Sequence, residues 1–191
     1  MVVRAIEPDD RALLVDGLRR LSPQSRRQRF LALRDHFTDD ELDYLVDVDH
    51  HDHEALVALD PATGALVGVA RYVRLEPARA EVAVAVVDAW QGRGVGTLLL
   101  TRLARRARRA GIRSFESITL ADNDAALRSL RRLGPTRCIS MGPHVRLRTR
   151  LPRRWTRPMD LRQVRRRRAP RRNRGIDAVP SGTVVVTSTR T

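Results

Sequence analysis

The residues best suited to chemistry form one run, Val84-Ala85-Val86-Val87-Asp88-Ala89-Trp90-Gln91-Gly92-Arg93-Gly94-Val95-Gly96-Thr97. An apolar strand enters a glycine-rich turn, and an amphipathic helix follows. Glycines let the backbone approach an anion closely, and the N–H groups of a first helical turn point at it with the dipole behind them. The run reads either as a diphosphate cradle or as a plain glycine-rich strand-to-helix turn. It is not a dinucleotide fingerprint, because Thr97-Leu98-Leu99 follows Gly94-Val95-Gly96 and no third glycine arrives where one is required.

Other chemistries are excluded by composition. All 37 basic residues are arginine, which removes a Walker A loop, a Schiff-base mechanism and lysine self-modification. The single cysteine, Cys138, cannot form an internal disulfide or a thiolate zinc pair, so a reducing, cytoplasmic setting is expected. No histidine follows it in a nucleophile arrangement, and it reads as a buried or half-buried spectator. Between Asp35 and Asp60 stand ten acids, no arginine, and His50, His51 and His53. Asp49-x-x-Asp52 or His50-x-x-His53 would converge on a metal only in particular turns, without thiolates or a His-Glu-x-x-His helix in support, so no metal site is expected. Aromatic residues are 4% of the chain, too few for a single-strand stacking platform.

The elements that must position these residues alternate. Val2 to Ile6 is a short strand, and Asp9 or Asp10 caps a helix striped by Leu13, Leu14, Leu18 and Leu21. Ser22-Pro23 starts a second helix through Phe30 and Leu33. Thr38-Asp39-Asp40-Glu41 has capping-box spacing ahead of Leu42, Leu45 and Val46. Glu54 to Leu59 and Leu66 to Leu75 are β-rich, joined by Asp60-Pro61-Ala62-Thr63-Gly64, and Ala80 to Val87 is a third apolar run. The helix after the glycine turn carries Val95, Leu98, Leu99, Leu103 and Ala107 inward and stops at Gly111. A strand at Ser114 to Leu120, a helix from Asn123 to Leu133 and two strands, around Ile139 and at Val145 to Leu151, complete the pattern.

Charge divides the chain in two. The net charge is +15, and Arg153 to Arg174 alone hold 11 arginines and one aspartate. That segment also carries Pro158 and Pro170, with Pro180 beyond it, and few large apolar residues, a composition that does not support a packed core. A domain at 1–152 and a disordered basic tail at 153–191 are expected. The tail either binds nucleic acid nonspecifically through phosphates or has no partner. No stretch has the apolar length of a membrane span or signal peptide.

The Gln91-x-x-Gly94-x-Gly96 pattern, the valine-rich strand before it, and Asn123 leading a helix to Leu133-Gly134 resemble the GNAT family of N-acetyltransferases over roughly residues 2 to 152. Leu21-Ser22-Pro23 to Arg29-Phe30 and Asp49-His50-His51-Asp52-His53-Glu54-Ala55-Leu56 are similar to a bacterial branch that includes protein lysine acetyltransferases.

The resemblance implies an α/β fold of the α+β kind. Its mixed sheet is splayed open between the fourth and fifth strands and flanked by about four helices, with acetyl-CoA in the cleft. Pantetheine would pair with backbone at Ala85, Val86 and Val87, and the diphosphate would lie on Gln91, Gly92, Arg93, Gly94, Val95, Gly96 and Thr97, with Asn123 also on the cofactor side. The amine, from a small molecule or a protein lysine, attacks the thioester directly. Glu81, ten residues before Gln91, is the candidate base, or else a solvated strand end. The acidic run lines the amine's entrance or is a solvated helix and turn. Many family members carry a tyrosine seven residues after the Asn123 equivalent; here that position is Leu130, and Ser129 beside it faces another side of the helix. The rival reading is a non-catalytic acyl-CoA-binding or nucleic-acid-associated protein of the same fold.

Overall fold

The computed structural model describes residues 1–32 and 34–153. The basic tail expected from 153 onward lies outside the described residues except for Arg153, as does Leu33. In chain order the elements are β1 (Val2–Ala5), α1 (Arg11–Arg19), α2 (Pro23–Phe30), α3 (Asp39–Val46), β2 (His53–Leu59), β3 (Leu66–Glu76), β4 (Arg79–Val86), α4 (Val95–Arg109), β5 (Ser114–Leu120), α5 (Asp124–Leu133), β6 (Thr136–Met141) and β7 (His144–Arg150). Among the described residues there are five α-helices, against about four expected.

The strands form one sheet in the order β1-β2-β3-β4-β5-β7-β6. β4 and β5 are parallel, and every other neighbouring pair is antiparallel. The parallel pair is short. It holds at Arg79 with Ser114, Ala80 with Phe115 and Glu81 with Glu116, and then the strands part. The sheet is therefore forked where the family resemblance places its cleft.

Alternation along β4 decides what each face packs against. Ala80, Val82, Val84 and Val86 share a core with Leu99, Leu100 and Leu103 of α4 and Leu130 of α5. Burying each of those leucines stabilises the fold by about 1.5–3 kcal/mol before entropy is counted. The opposite face is covered by α1 and α3, through Leu14, Leu42 and Val46 against Ala55, Val57 and Leu66 of β2 and β3. Leu18, Leu21 and Ala85 form a smaller cluster on that side.

Helix boundaries follow local chemistry, with two departures from expectation. Ser22 Oγ accepts from Ser25 N–H at the start of α2, and Thr38 and Glu41 form the expected capping box. Asp10 does not cap α1; its carboxylate turns back to the Glu7 N–H at 2.9 Å and to Arg4 at 2.6 Å, closing a 3-10 turn at Pro8–Asp10. α2 ends at Phe30, because Leu31 takes a left-handed conformation with φ 53°. Cys138 is exposed on the edge strand β6, not buried, since among the described residues no further element covers that edge. Among the described residues no helix is long and apolar enough to cross a membrane.

Candidate active site at the fork of the sheet

The fork leaves β4 with backbone groups that β5 no longer pairs. The Val87 N–H donates to Val67 O at 3.0 Å, so the odd-numbered residues of β4 bond to β3. By the same alternation the N–H and C=O groups of Val84 and Val86 face the side from which β5 has departed, with Val86 O taken by the Gln91 side chain. Of the expected pantetheine contacts, Val86 faces the gap, whereas Ala85 and Val87 bond across to β3. Val84 belongs with Val86, a pairing legible only from the register. A gap between strands with unpaired amide groups fits an amide-containing chain such as pantetheine.

At the end of β4 the chain turns through Gly92 (φ 69°) and Gly94 (φ 85°), both left-handed, into α4. The first intrahelical bond runs from Leu98 N–H to Gly94 O. The N–H groups of Val95, Gly96 and Thr97 therefore emerge from the end of a 15-residue helix, and the Arg93 guanidinium of the same turn lies over the Trp90 ring. These donors and this charge suit a diphosphate. A Cβ on Gly96 would point at Val86 and Val84 of β4, 3.5 and 3.9 Å away, and not into the cradle.

Two of the expected cofactor ligands turn inward. The Gln91 side chain donates to Ser25 Oγ at 3.1 Å and to Val86 O at 3.0 Å, and its backbone N–H goes to Asp88 O. Asp88 in turn accepts from Ser22 N–H, Ser22 Oγ and Ser25 Oγ at 2.7–2.9 Å. The network fastens α2 to the glycine turn. Asn123 is fully buried; its oxygen accepts from Ala126 N–H, and its amide donates to Thr119 Oγ1, capping α5 and tying it to β5. Both side chains hold the frame around the cleft.

Glu81 occupies the last rung before the fork, opposite Glu116. Burial pushes its carboxyl up to about 7, helped by the Glu116 charge and opposed by Arg29. A carboxyl poised there exchanges protons readily at neutral pH. Leu130 is 1% exposed within the α4–α5 core, so α5 offers no hydroxyl at the position where many relatives have tyrosine. Tyr44, on α3, stacks on His53 of β2, and the Tyr72 hydroxyl donates to His51 O.

The acidic run serves mainly as scaffold. Asp39 and Asp43 hold Arg11, Asp35 holds Arg26, Glu41 holds Arg34 and Asp52 holds Arg74. Asp49 Oδ1 accepts from three successive N–H groups, those of His51, Asp52 and His53. Glu54, 1% exposed, is clasped by Arg106 at 2.6 Å and His50 at 2.9 Å.

Sequence reasoning missed two arginines. Arg29 (8% exposed) and Arg71 (6% exposed) are buried on the same sheet face as Glu81 and line one pocket. Arginine is ordinarily a surface residue, so nothing in a chain with 37 of them marks these two.

Comparison with known proteins agrees with this geometry. Residues 19–134 match the acetyltransferase (GNAT) family. The chain belongs to that family. It is 34% identical over 134 residues to acetyltransferase Pat of Mycolicibacterium smegmatis, a match covering 69% of this chain and 40% of that protein. It is 35% identical over 128 residues to acetyltransferase PA5475 of Pseudomonas aeruginosa, covering 65% of this chain and 69% of that one. The GNAT domain of S. lividans PAT superposes with a TM-score of 0.72 at 30% identity, over 78% of this chain and 89% of the other. The chain thus spans less than half the length of the M. smegmatis protein.

Proposed function

We propose that this chain transfers an acetyl group from acetyl-CoA to a primary amine by direct attack, with Glu81 as general base. The observation that carries this reading is the position of Glu81: the final paired residue of β4, half-buried, with its carboxyl raised to about 7. An ammonium has no lone pair, so a group that removes its proton beside the thioester is required.

Acetyl-CoA, when bound, supplies the thioester carbonyl at which the C–N bond forms as the C–S bond breaks. The N–H groups of Val95, Gly96 and Thr97 hold the diphosphate, with Arg93 adding charge, and the backbone groups of Val84 together with the Val86 N–H hold pantetheine. Glu81 takes the proton released by the attacking nitrogen. With Leu130 in the core, the departing thiolate takes its proton from water in the cleft.

The test is thiol release from acetyl-CoA with a panel of small amines and lysine peptides, with the products weighed by mass spectrometry. Amine-dependent thiol release with a mass gain of one acetyl group supports the reading. Tight acetyl-CoA binding with no amine-dependent release would establish the rival, a non-catalytic acyl-CoA binder, which is the reading that Leu130 favours.

A further inference from the structure

The last two strands bury one face and expose the other. Leu147 of β7 is fully buried with Leu130 and Leu133 of α5, and Val145 packs against the same core. Successive side chains of a strand point to opposite faces, so Arg146 and Arg148 of β7 lie on the other face with Arg137, Ile139 and Met141 of β6, and all five are exposed. Ile139 and Met141 are 49% and 42% exposed, two positions apart on one strand. A lone exposed apolar residue needs no explanation, but neighbouring ones rimmed by charge mark a contact surface.

The register ties this face to the fork. Glu81 pairs with Glu116, Glu116 with Arg148 and Arg148 with Arg137, so one rung crosses β4, β5, β7 and β6 with its side chains on one side of the sheet. The next rung on that face runs from Ile118 through Arg146 to Ile139. Charge changes sign along the first rung: carboxyl groups stand at the fork and guanidinium groups toward the edge. Glu116 is already held by Arg79 and Arg148. Arg137 and Arg146, by contrast, make no hydrogen bond or ion pair among the described residues.

A molecule laid along these rungs must carry the opposite order, an ammonium at the fork and carboxylates toward the edge, with apolar groups between. Neighbouring strands are about 4.8 Å apart, so the three steps from Glu81 to Arg137 span about 14 Å, the reach of about four residues of extended chain. A polypeptide covers that distance. A second copy of this chain would set arginine against arginine at a net charge of +15, and the segment from Arg153 to Arg174, with 11 arginines and one aspartate, has the same sign. A nucleic acid strand would meet the carboxyl groups of the first rung as like charges, and neither rung offers a phenylalanine, tyrosine or tryptophan on which a base could stack.

Resting on the reading of Glu81 as base, we propose that the exposed face of β7 and β6 docks the acceptor as an extended acidic polypeptide segment. Its lysine reaches Glu81, and its apolar side chains lie on Ile118, Ile139 and Met141. Acidic side chains about four residues from the lysine pair with Arg137 and Arg146.

The test has a binding arm that needs no turnover. The probes are labelled peptides with one lysine, a leucine two residues away and two glutamates four and five residues away, placed N-terminal to the lysine in one series and C-terminal in the other. Matched controls carry glutamine in place of glutamate. Fluorescence anisotropy without acetyl-CoA compares the full chain with its Arg137→Glu, Arg146→Glu double variant, whose changes sit at exposed positions. In one series the glutamate peptide should lose about fivefold or more in affinity on going to the variant, and the glutamine peptide should lose little. The difference should shrink in about 1 M salt. An equal loss for both peptides, or no loss in either series, overturns the proposal. A mixed-sequence single-stranded oligonucleotide that loses as much affinity as the glutamate peptide would assign the face to nucleic acid and also overturn it.

The transfer arm measures acetylation of the same peptides from acetyl-CoA. The glutamate peptide should have the higher kcat/KM, with the advantage in KM, and the double variant should abolish it. Equal kcat/KM for glutamate and glutamine peptides, or faster transfer to free small amines than to any peptide, overturns the proposal. Charge-selective binding without transfer to any lysine would sink the catalytic reading while leaving the docking surface standing.

Discussion

Glu81 and Glu116 face each other across the last rung that β4 and β5 share, with their side chains on one side of the sheet. Glu116 is held by Arg79 at 3.2 Å and Arg148 at 3.0 Å. Glu81 makes no ion pair among the described residues, and its neighbour's charge and its own burial both favour the protonated form. The two carboxylates therefore divide the work: Glu116 fastens the strands, and Glu81 is left to exchange a proton where they separate.

Glu81→Gln keeps the shape of the side chain and removes its proton acceptance. Turnover with a saturating amine should fall about 10²-fold or more, while acetyl-CoA affinity holds. The parent kcat/KM should rise with pH through about 7 as Glu81 deprotonates, and the variant should lose that limb. A variant with the parent's rate and pH profile would place the base elsewhere.

The same carboxyl leaves a mark on stability. It titrates near 4.5 when unfolded and near 7 when folded, so between those values the native chain holds more protons and its contribution to stability declines as pH rises. His53 acts oppositely from about 4 to 6.5, because it stays neutral in the fold and is protonated when unfolded. Denaturant melts at pH 5 and pH 8 should show Glu81→Gln gaining on the parent at the higher pH. An equal difference at both would mean that Glu81 is not shifted.

Thr97 tests the cradle without disturbing the strand behind it. It is the third residue of α4 and half-buried. Thr97→Glu sets a negative charge at the helix N-terminus, which favours the helix by about 0.3–1 kcal/mol, and opposes a bound diphosphate. Acetyl-CoA affinity should drop at least tenfold, about 1.4 kcal/mol, with no fall in Tm. Unchanged affinity by calorimetry would move the diphosphate off this turn.

Asp88 joins the second helix to the glycine turn by accepting from Ser22 and Ser25. Hydrogen bonds to a charged group contribute about 1.5–3 kcal/mol each at most. Asp88→Ala should cost about 2–3 kcal/mol in denaturant melts and raise the KM for acetyl-CoA, because α2 and the turn lose their common anchor. A normal KM would show that the turn keeps its shape unaided.

Arg106→Ala leaves the buried Glu54 with the His50 ring as its remaining side-chain partner. Removing one partner of a buried pair costs about 3–5 kcal/mol, and the half-exposed Arg106 side chain puts this case near the lower end. Glu54→Leu combined with Arg106→Leu should recover most of the loss. A double variant as unstable as the single one would show that Glu54 is needed for strand pairing rather than for charge.

The strands, the helix starts and the glycine turn were legible because their signals are local. Ser22, Thr38 and Glu41 cap from within four residues, and the leucine stripe of α4 repeats on one helix face. Gly92 and Gly94 mark left-handed turns that other residues adopt only at a cost. Glu81 could be named only through family resemblance, since a strand-start glutamate looks the same whether solvated or half-buried.

Only tertiary structure decided which residues meet at the fork. The three-pair length of the β4–β5 contact selects Val84 and Val86, not Ala85 and Val87, as the backbone facing the gap. Tertiary packing also turns Gln91 and Asn123 inward to fasten helices, and leaves Cys138 exposed on the edge strand β6. Arg29 and Arg71 stand 42 positions apart in the sequence, and neither has a local pattern that distinguishes it from surface arginines. Their burial arises because α2 packs against β4 and β5 while α1 covers β3 and α3 meets Arg71 through Leu45 O, a condition set by long-range packing that no short window of sequence contains.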